Sequence, residues 1–326
     1  MSATATQVQV QAPAVALRDA VSGDHAALMA LEGLASQAGA ALIQARRNFF
    51  ARTEAYLQSR VLVAEAEGRL IGVLCVSLTT VRVAGKPCSA GYICNVRVEP
   101  GLQARGVGPL LMRAATRWLE EQGASYVTGL IKTSNTPSMK MVTALGWETM
   151  TRFDYLVLDL GRFQPDPQAR VRKVNILGDP AHAAWRFGGI FLHHFVPFFL
   201  HSELFLPCPA GAYVGSLTAF CPGGTAWLSV WDDRARRGLD PDQVRAVKGF
   251  DVTLKGPGGF RAFGAIAVAL REAGLSHLLL PLPHDPGVRA ALDPYAADVV
   301  EFNFVGRPLN GAGPLPPGPI YFDIRH

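Results

Sequence analysis

Several protein classes are excluded by what this chain lacks. It holds five cysteines (Cys75, Cys88, Cys94, Cys208 and Cys221), an odd and scattered set with no C-x-x-C pair. That argues against a disulfide framework and a cysteine-ligated zinc site. It suits a reducing intracellular compartment, cytoplasmic or nuclear. No run of five or more basic residues occurs, nor any RNA-binding or zinc-finger pattern, so direct nucleic-acid binding is not expected. The net charge of +5 is mild for 326 residues and permits an anionic ligand without calling for a polyanion. The start, MSATATQVQVQAPA, has no charged residue followed by an apolar block. Residues 1–13 therefore read as a disordered tail rather than a secretory signal.

One long apolar run is present, FGGIFLHHFVPFFLHSELFLP from Phe187 to Pro207. It also carries His193, His194, His201, Glu203 and an internal Pro197. Polar groups of that kind are costly in lipid, so the segment reads as a buried or ligand-lining helix pair broken at Pro197. His194 and His201 lie seven apart, and Glu203 is the single carboxylate at ligand spacing, so no metal site is expected.

The most informative stretch is VRVEPGLQARGVGPLLMRAATRWLEEQG, Val96 to Gly123. It reads as a strand, a Gly-rich turn and a helix. Glycines let backbone N–H groups approach a ligand without Cβ obstruction, and the helix N-terminus adds free N–H groups and a positive dipole end. Together they suit a diphosphate. A P-loop would need Lys and Ser/Thr after the second Gly, where Pro109 and Leu110 stand. A Rossmann turn would need a third Gly at position 111, which is Leu. Downstream, Leu110, Ala114 and Trp118, with Leu111, Ala115 and Leu119, form a core-facing helical stripe. Gly123 suits a helix stop. Tyr126 to Ile131 reads as a strand, and Asn135 leads a helix ending at Leu145-Gly146-Trp147.

Val98, Pro100, Gln103, Gly106 and Gly108 match, position for position, the acyl-CoA pattern V-x-P, two residues, then Q/R-x-x-G-x-G/A. On these residues the segment resembles the GNAT N-acetyltransferase superfamily, whose members also commonly show the Asn and the Gly-aromatic pair seen at Asn135 and Gly146-Trp147. The resemblance implies that acetyl-CoA is the cosubstrate. Backbone groups of Gln103, Ala104, Arg105, Gly106, Val107 and Gly108 would hold its pyrophosphate. Val96, Arg97 and Val98 would bond the pantetheine and thioester where the fourth strand splays from the fifth, with Asn135 nearby.

The length suggests two domains of roughly 150 residues. Residues 14–160 read as one GNAT unit. Its opening strand is Ala14 to Ala20. Helical periodicity covers Asp24 to Leu34 and Ala40 to Leu57. Strands follow at Arg60 to Ala66 and Leu70 to Val83 around Glu67-Gly68, and a fourth at Ser89 to Pro100 after a turn at Gly85-Lys-Pro87. Phe153 to Leu160 closes the sheet. Residues 161–170 read as a linker. Residues 171–326 repeat the same order in weaker form. Arg170 to Val174 opens this half, a hairpin turns at Cys221-Pro-Gly-Gly224, a helix covers Phe260 to Gly274, and strands cover Ser276 to Pro283 and Ile320 to Arg325. Lys255-Gly-Pro-Gly-Gly259 departs from the CoA loop, so this half is expected to be a degenerate GNAT fold without its own cofactor. The expected class is mixed α/β, with tandem acyl-CoA N-acyltransferase folds.

Phe195-Val-Pro197, Ser202-Glu-Leu204, Ala226 to Trp231, Phe260 to Gly264 and Pro319 to Asp323, in this order, resemble the plant HOOKLESS-type N-acetyltransferases. That resemblance implies acetyl transfer to an amine, on histones or another protein, with effects on regulation; a protein lysine or N-terminus and a small amine all stay open as acceptors.

The acid and base are less legible. Many GNAT enzymes place a Tyr seven residues after the helix-start Asn, and here that position is Val142. The histone-acetylating branch often has a Glu early in the fourth strand, and here that position is Tyr92. Tyr92 is a candidate proton donor or relay, although a phenol with a pKa of about 10 is a poor base. Cys94 shares its strand face and is the second candidate. Two functions stay open: an N-acetyltransferase, or a non-catalytic acyl-CoA sensor or scaffold. Asp154, Asp232, Asp233 and Glu203 are the few acidic candidates for a cleft that takes a cationic acceptor.

Overall fold

The computed structural model describes residues 15–34, 46–56, 58–83, 86–174, 190–191, 213–232, 234–235, 237–314 and 320–321. The first half opens with β1 (Ala16–Asp19), β2 (Gln58–Ala66), β3 (Arg69–Val83) and β4 (Lys86–Val98), an antiparallel run. Glu67 and Gly68 turn β2 into β3 with φ of 52° and 72°, the left-handed pair that a tight hairpin requires. The strand β4 begins at Lys86 rather than Ser89, so Lys86 and Pro87 belong to it and not to a turn.

Two layers sandwich these strands. Helix α1 (His25–Leu34) follows a 3-10 turn at Ser22–Asp24. It packs Leu28 and Leu31 on one sheet face, with Phe49, Val63, Val73 and Tyr92. Helix α2 (Val107–Glu121) packs Leu111, Met112, Ala115 and Leu119 on the other face. Of the two rows read from the sequence, Leu111, Ala115 and Leu119 are fully buried, and Leu110, Ala114 and Trp118 partly so. The helix expected over Ala40 to Leu57 is a 3-10 segment at Phe49–Ala55. Positions 40–45 and 57 lie outside the described residues.

After β5 (Tyr126–Lys132), α3 (Thr136–Ala144) and β6 (Glu148–Asp159), the chain enters its second half through a 3-10 turn at Leu160–Arg162. Then come β7 (Arg170–Val174), β8 (Ile190–Phe191), β9 (Tyr213–Cys221), β10 (Gly224–Trp231) and β11 (Ala246–Lys255). They are followed by α4 (Gly259–Glu272), β12 (His277–Pro283), α5 (Pro286–Leu292), β13 (Ala296–Pro308) and β14 (Ile320–Tyr321). Ile190 and Phe191 pair with β14 as strand, not helix. The rest of the Phe187 to Pro207 helix pair lies outside the described residues. So does Ile320 to Arg325 beyond Tyr321.

The halves do not close separately. The 14 strands of the described residues lie in one sheet, whose main path runs β1-β2-β3-β4-β5-β13-β6-β12-β11-β10-β9-β7. Phe153 to Leu160 therefore does not close the first sheet. Strand β13, from the far end of the chain, inserts between β5 and β6, while β6 carries β12 of the second half on its other edge. Each half supplies a strand that completes the other. The inserted strand puts Val300 and Phe304 into a core with Phe153, Tyr155, Val157, Leu279 and Trp231. Phe304 is fully buried and meets Phe153 edge-on at 6.0 Å. A Cβ on Gly306 would sit 2.4 Å from the Val127 carbonyl oxygen, so only glycine lets β13 lie this close to β5.

Candidate active site

The site forms where two strands part. Strands β4 and β5 pair in parallel only from Ala90 to Ile93 against Tyr126 to Gly129. A Cβ on Gly129 would come within 3.0 Å of the Ile93 carbonyl, so glycine marks the last close approach. Beyond it β4 continues to Val98 still paired to β3, and its other edge is turned from β5. A bulge bends it: Val73 faces Arg97 and Cys75 faces Cys94, so Leu74 alone opposes Asn95 and Val96. Asn95 has φ of 53°. A cavity of about 150 Å³ opens in the gap, and Val96, Arg97 and Asn135 are among the residues that line it. Asn135 also caps α3, its Oδ1 accepting from the Ser138 N–H at 3.1 Å.

The Gly-rich turn stands at the N-terminus of α2. Gln103, Ala104, Arg105 and Gly106 are exposed, whereas Val107 and Gly108 are buried. Gly106 has φ of 88°, and a Cβ there would meet nothing within 4 Å, so glycine is needed for conformation. A Cβ on Gly108 would lie 3.0 Å from Met141 Sδ, a tight contact that this flexible side chain would have to relieve. The first N–H groups of α2 have no intrahelical partner, although Pro109 removes one from that turn. Val98 accepts from Gln103 Nε2 at 3.3 Å, which ties the turn to the end of β4.

Tyr92 and Cys94 both line the cavity and both are buried, at 4% and 8% exposure. Cys75, directly opposite Cys94, has its thiol pushed well above an ordinary pKa by a hydrogen bond with Cys94 and by burial. Val142, seven residues after Asn135, forms part of the cavity wall. The acidic candidates are elsewhere or engaged. Asp154 is buried on the opposite face, 3.0 Å from His284 Nδ1. Asp232 is paired with Arg234 at 2.7 Å. Asp233 and Glu203 lie outside the described residues.

Several lining residues were not singled out from the sequence. Glu32 of α1 is the one carboxylate among the described lining residues, held by Arg46 through Nε at 3.0 Å and Nη2 at 2.6 Å. Lys132, one residue past the expected end of β5, is 5% exposed. Burial and the nearby Arg97 lower its pKa, against an opposing pull from Asp298. Tyr155 and Phe302 complete the wall from β6 and β13. A two-residue alternation in each strand could have suggested their faces, but not that they meet.

The corresponding turn in the second half is plugged. Strands β11 and β12 also run parallel, over Ala246 to Lys248 only, and α4 follows the turn Lys255 to Gly259. There the Gly258 N–H donates to the Gly223 carbonyl at 3.1 Å, and Cys221 Sγ to the Gly258 carbonyl at 3.0 Å. The Pro222-Gly223 hairpin turn thus packs on the loop, with a Gly256 Cβ only 2.3 Å from the Gly223 carbonyl oxygen.

Residues 33–147 match the family model for Acetyltransferase (GNAT) family. No curated protein matches the chain. Among solved structures, a tandem GNAT protein from the clavulanic acid biosynthesis pathway is similar at 14% identity and a TM-score of 0.60, over 92% of this chain and 99% of that one. A GCN5-related N-acetyltransferase from Sphaerobacter thermophilus is similar at 12% identity and a TM-score of 0.61, over 92% and 98%. An acetyltransferase from Pyrococcus horikoshii is similar at 11% and 0.55, over 92% of each chain. At such identities the likeness is one of fold. The fold is mixed α/β around one large sheet, and the similar structures are GNAT folds, one of them a tandem protein. Among the described residues, no helix is long and apolar enough to cross a membrane, and no group of three or more His, Cys, Asp or Glu side chains is placed to hold a metal ion.

Proposed function

We propose that this protein is an intracellular N-acetyltransferase that moves an acetyl group from acetyl-CoA to an amine. The observation that carries the reading is the parting of β4 from β5 beside an open glycine turn at the start of α2. The open turn fits a pyrophosphate, and the stretch of β4 from Val96 to Val98 that has turned from β5 fits an amide-bearing arm. Acetyl-CoA supplies a thioester, an acyl group already activated toward amines. The chain's own work is to hold the arm in the gap, exclude water and remove a proton from the amine. Glu32 is the residue assigned to that last task. Its oxygens already accept from Arg46, yet each carboxylate oxygen has a second lone pair for an amine or an intervening water.

The whole-chain resemblance to plant HOOKLESS-type proteins stays part of this proposal. Of its C-terminal segments, Ala226 to Trp231 is in β10 and Phe260 to Gly264 lies in α4, while 195–197 and 202–204 lie outside the described residues. The division at 161–170 likewise remains a proposal for how the two units are organised.

Glu32→Gln is expected to lower kcat about 100-fold, with acetyl-CoA affinity unchanged, in a steady-state assay of acetylated amine by mass spectrometry. A variant with unaltered kcat removes Glu32 from the mechanism. Val142 in place of a proton donor gives the sensor reading its one specific support. Tight acetyl-CoA binding with no turnover across a broad amine panel would establish that reading instead.

A further inference from the structure

The face of the cavity on which an acceptor would meet the thioester has an unusual make-up for an amine site. Alternation along the strands puts Tyr92 and Cys94 of β4 and Leu130 and Lys132 of β5 on the same face. Strand β13 extends that face, since Phe302 is the direct register partner of Lys132. Tyr155 lies across from it with ring centroids 6.5 Å apart. The wall is thus an apolar and aromatic surface of Tyr92, Leu130, Tyr155 and Phe302, with one buried ammonium set into it.

Among the described lining residues, positive charge is in excess. Arg46, Arg97 and Lys132 stand there against the carboxylate of Glu32, which Arg46 engages with two hydrogen bonds. Asp298 acts on Lys132 from outside the lining. A polyamine or a lysine-rich tail would bring further cations into a positively charged enclosure, where repulsion is poorly screened. An acceptor that brings an anion removes that conflict, because an ammonium has three donors and can add a charge-assisted hydrogen bond to those it already makes.

We propose that the acceptor is an amine carrying both a carboxylate and an uncharged apolar side chain, as in a free hydrophobic α-amino acid. Lys132 binds the carboxylate, and Phe302, Tyr155 and Leu130 hold the side chain. This inference rests on the acetyltransferase reading. It also gives the second half a role, because Phe302 belongs to the strand that half inserts.

The experiment uses the full chain and acetyl-CoA with phenylalanine, phenylalaninamide and spermidine as acceptors, following product by mass spectrometry. The free acid is expected to exceed the amide in kcat/KM by about tenfold or more, the effect of one charge-assisted contact. Lys132→Met should erase that ratio, and Lys132→Arg should keep most of it, both with unchanged acetyl-CoA affinity by calorimetry. Equal rates for acid and amide, faster spermidine, or a ratio indifferent to Lys132→Met would overturn the proposal and leave acetyl transfer standing. Should nothing be turned over, titration with N-acetylphenylalanine and its amide decides the point separately. Tighter, Lys132-dependent binding of the acid supports it, and equal binding sinks it.

Discussion

A chain cut after Gln168 is expected to lose its cooperative fold. The cut removes β13 from between β5 and β6, and β12 from the other edge of β6. Strands β5 and β6 then present bare edges, which pair readily with other chains. Phe153, Tyr155 and Val157 lose the partners Val300, Phe304 and Leu279. Low soluble yield and a broad, non-cooperative thermal transition are the expected results by circular dichroism. The same dependence can be probed in the intact chain. Phe304→Ala empties a fully buried site against Phe153, and about 3–5 kcal/mol of stability should be lost. Because the strand serves both halves, the variant should still unfold in a single transition, shifted as a whole. A truncated fragment that unfolds as sharply as the full chain and binds acetyl-CoA as tightly would show that β13 is dispensable.

The second large effect concerns the glycine turn. Acetyl-CoA is expected to bind at one site per chain, because the second turn has its Gly258 N–H spent on Gly223 and its space filled by a hairpin. Gly106→Glu should lower that affinity about 100-fold or more, a loss of about 2.8 kcal/mol. The new carboxylate would stand where the helix N-terminus and its dipole favour an anionic ligand. The fold should survive, since nothing lies within 4 Å of a Cβ at Gly106. The left-handed φ of 88° adds a strain of about 1–2 kcal/mol in a non-glycine residue. Calorimetry reads the affinity and the site count, and near-ultraviolet circular dichroism checks the fold. Two sites per chain would show that the turn at 256–259 opens to a ligand. Undiminished binding by the variant would place the cofactor elsewhere.

The parts of this molecule that were legible in sequence are those fixed within a few residues of themselves. The turn at Gln103 to Gly108, the stripe of α2, the Asn135 cap and the Glu67-Gly68 hairpin all follow from local rules of φ, periodicity and capping. Strands β11 and β13 escaped that reading. The run from Ala296 to Pro308 is an ordinary alternating strand whose partners, β5 and β6, lie in the other half of the chain. Nothing local specifies such a pairing. The site divides the same way. Val96, Arg97 and Asn135, which line the cavity, could be singled out because they flank a motif, whereas Glu32 and Arg46 reach it from the α1 side, with no motif of their own. Lys132 was missed by a single residue at a strand end, the least certain point of any sequence-based boundary.

Local residue order sets the backbone conformations: where glycine permits a left-handed turn, where an apolar stripe needs a sheet, and where a helix N-terminus meets a Gly-rich loop. Which edges those strands share is settled by packing across the folded chain. A sheet edge offers the same N–H and C=O groups to any strand, and the choice is made by burial of a whole face. Here that choice placed Phe302 of the second half beside Lys132 of the first. It also set a hairpin against the second glycine loop, leaving the first open.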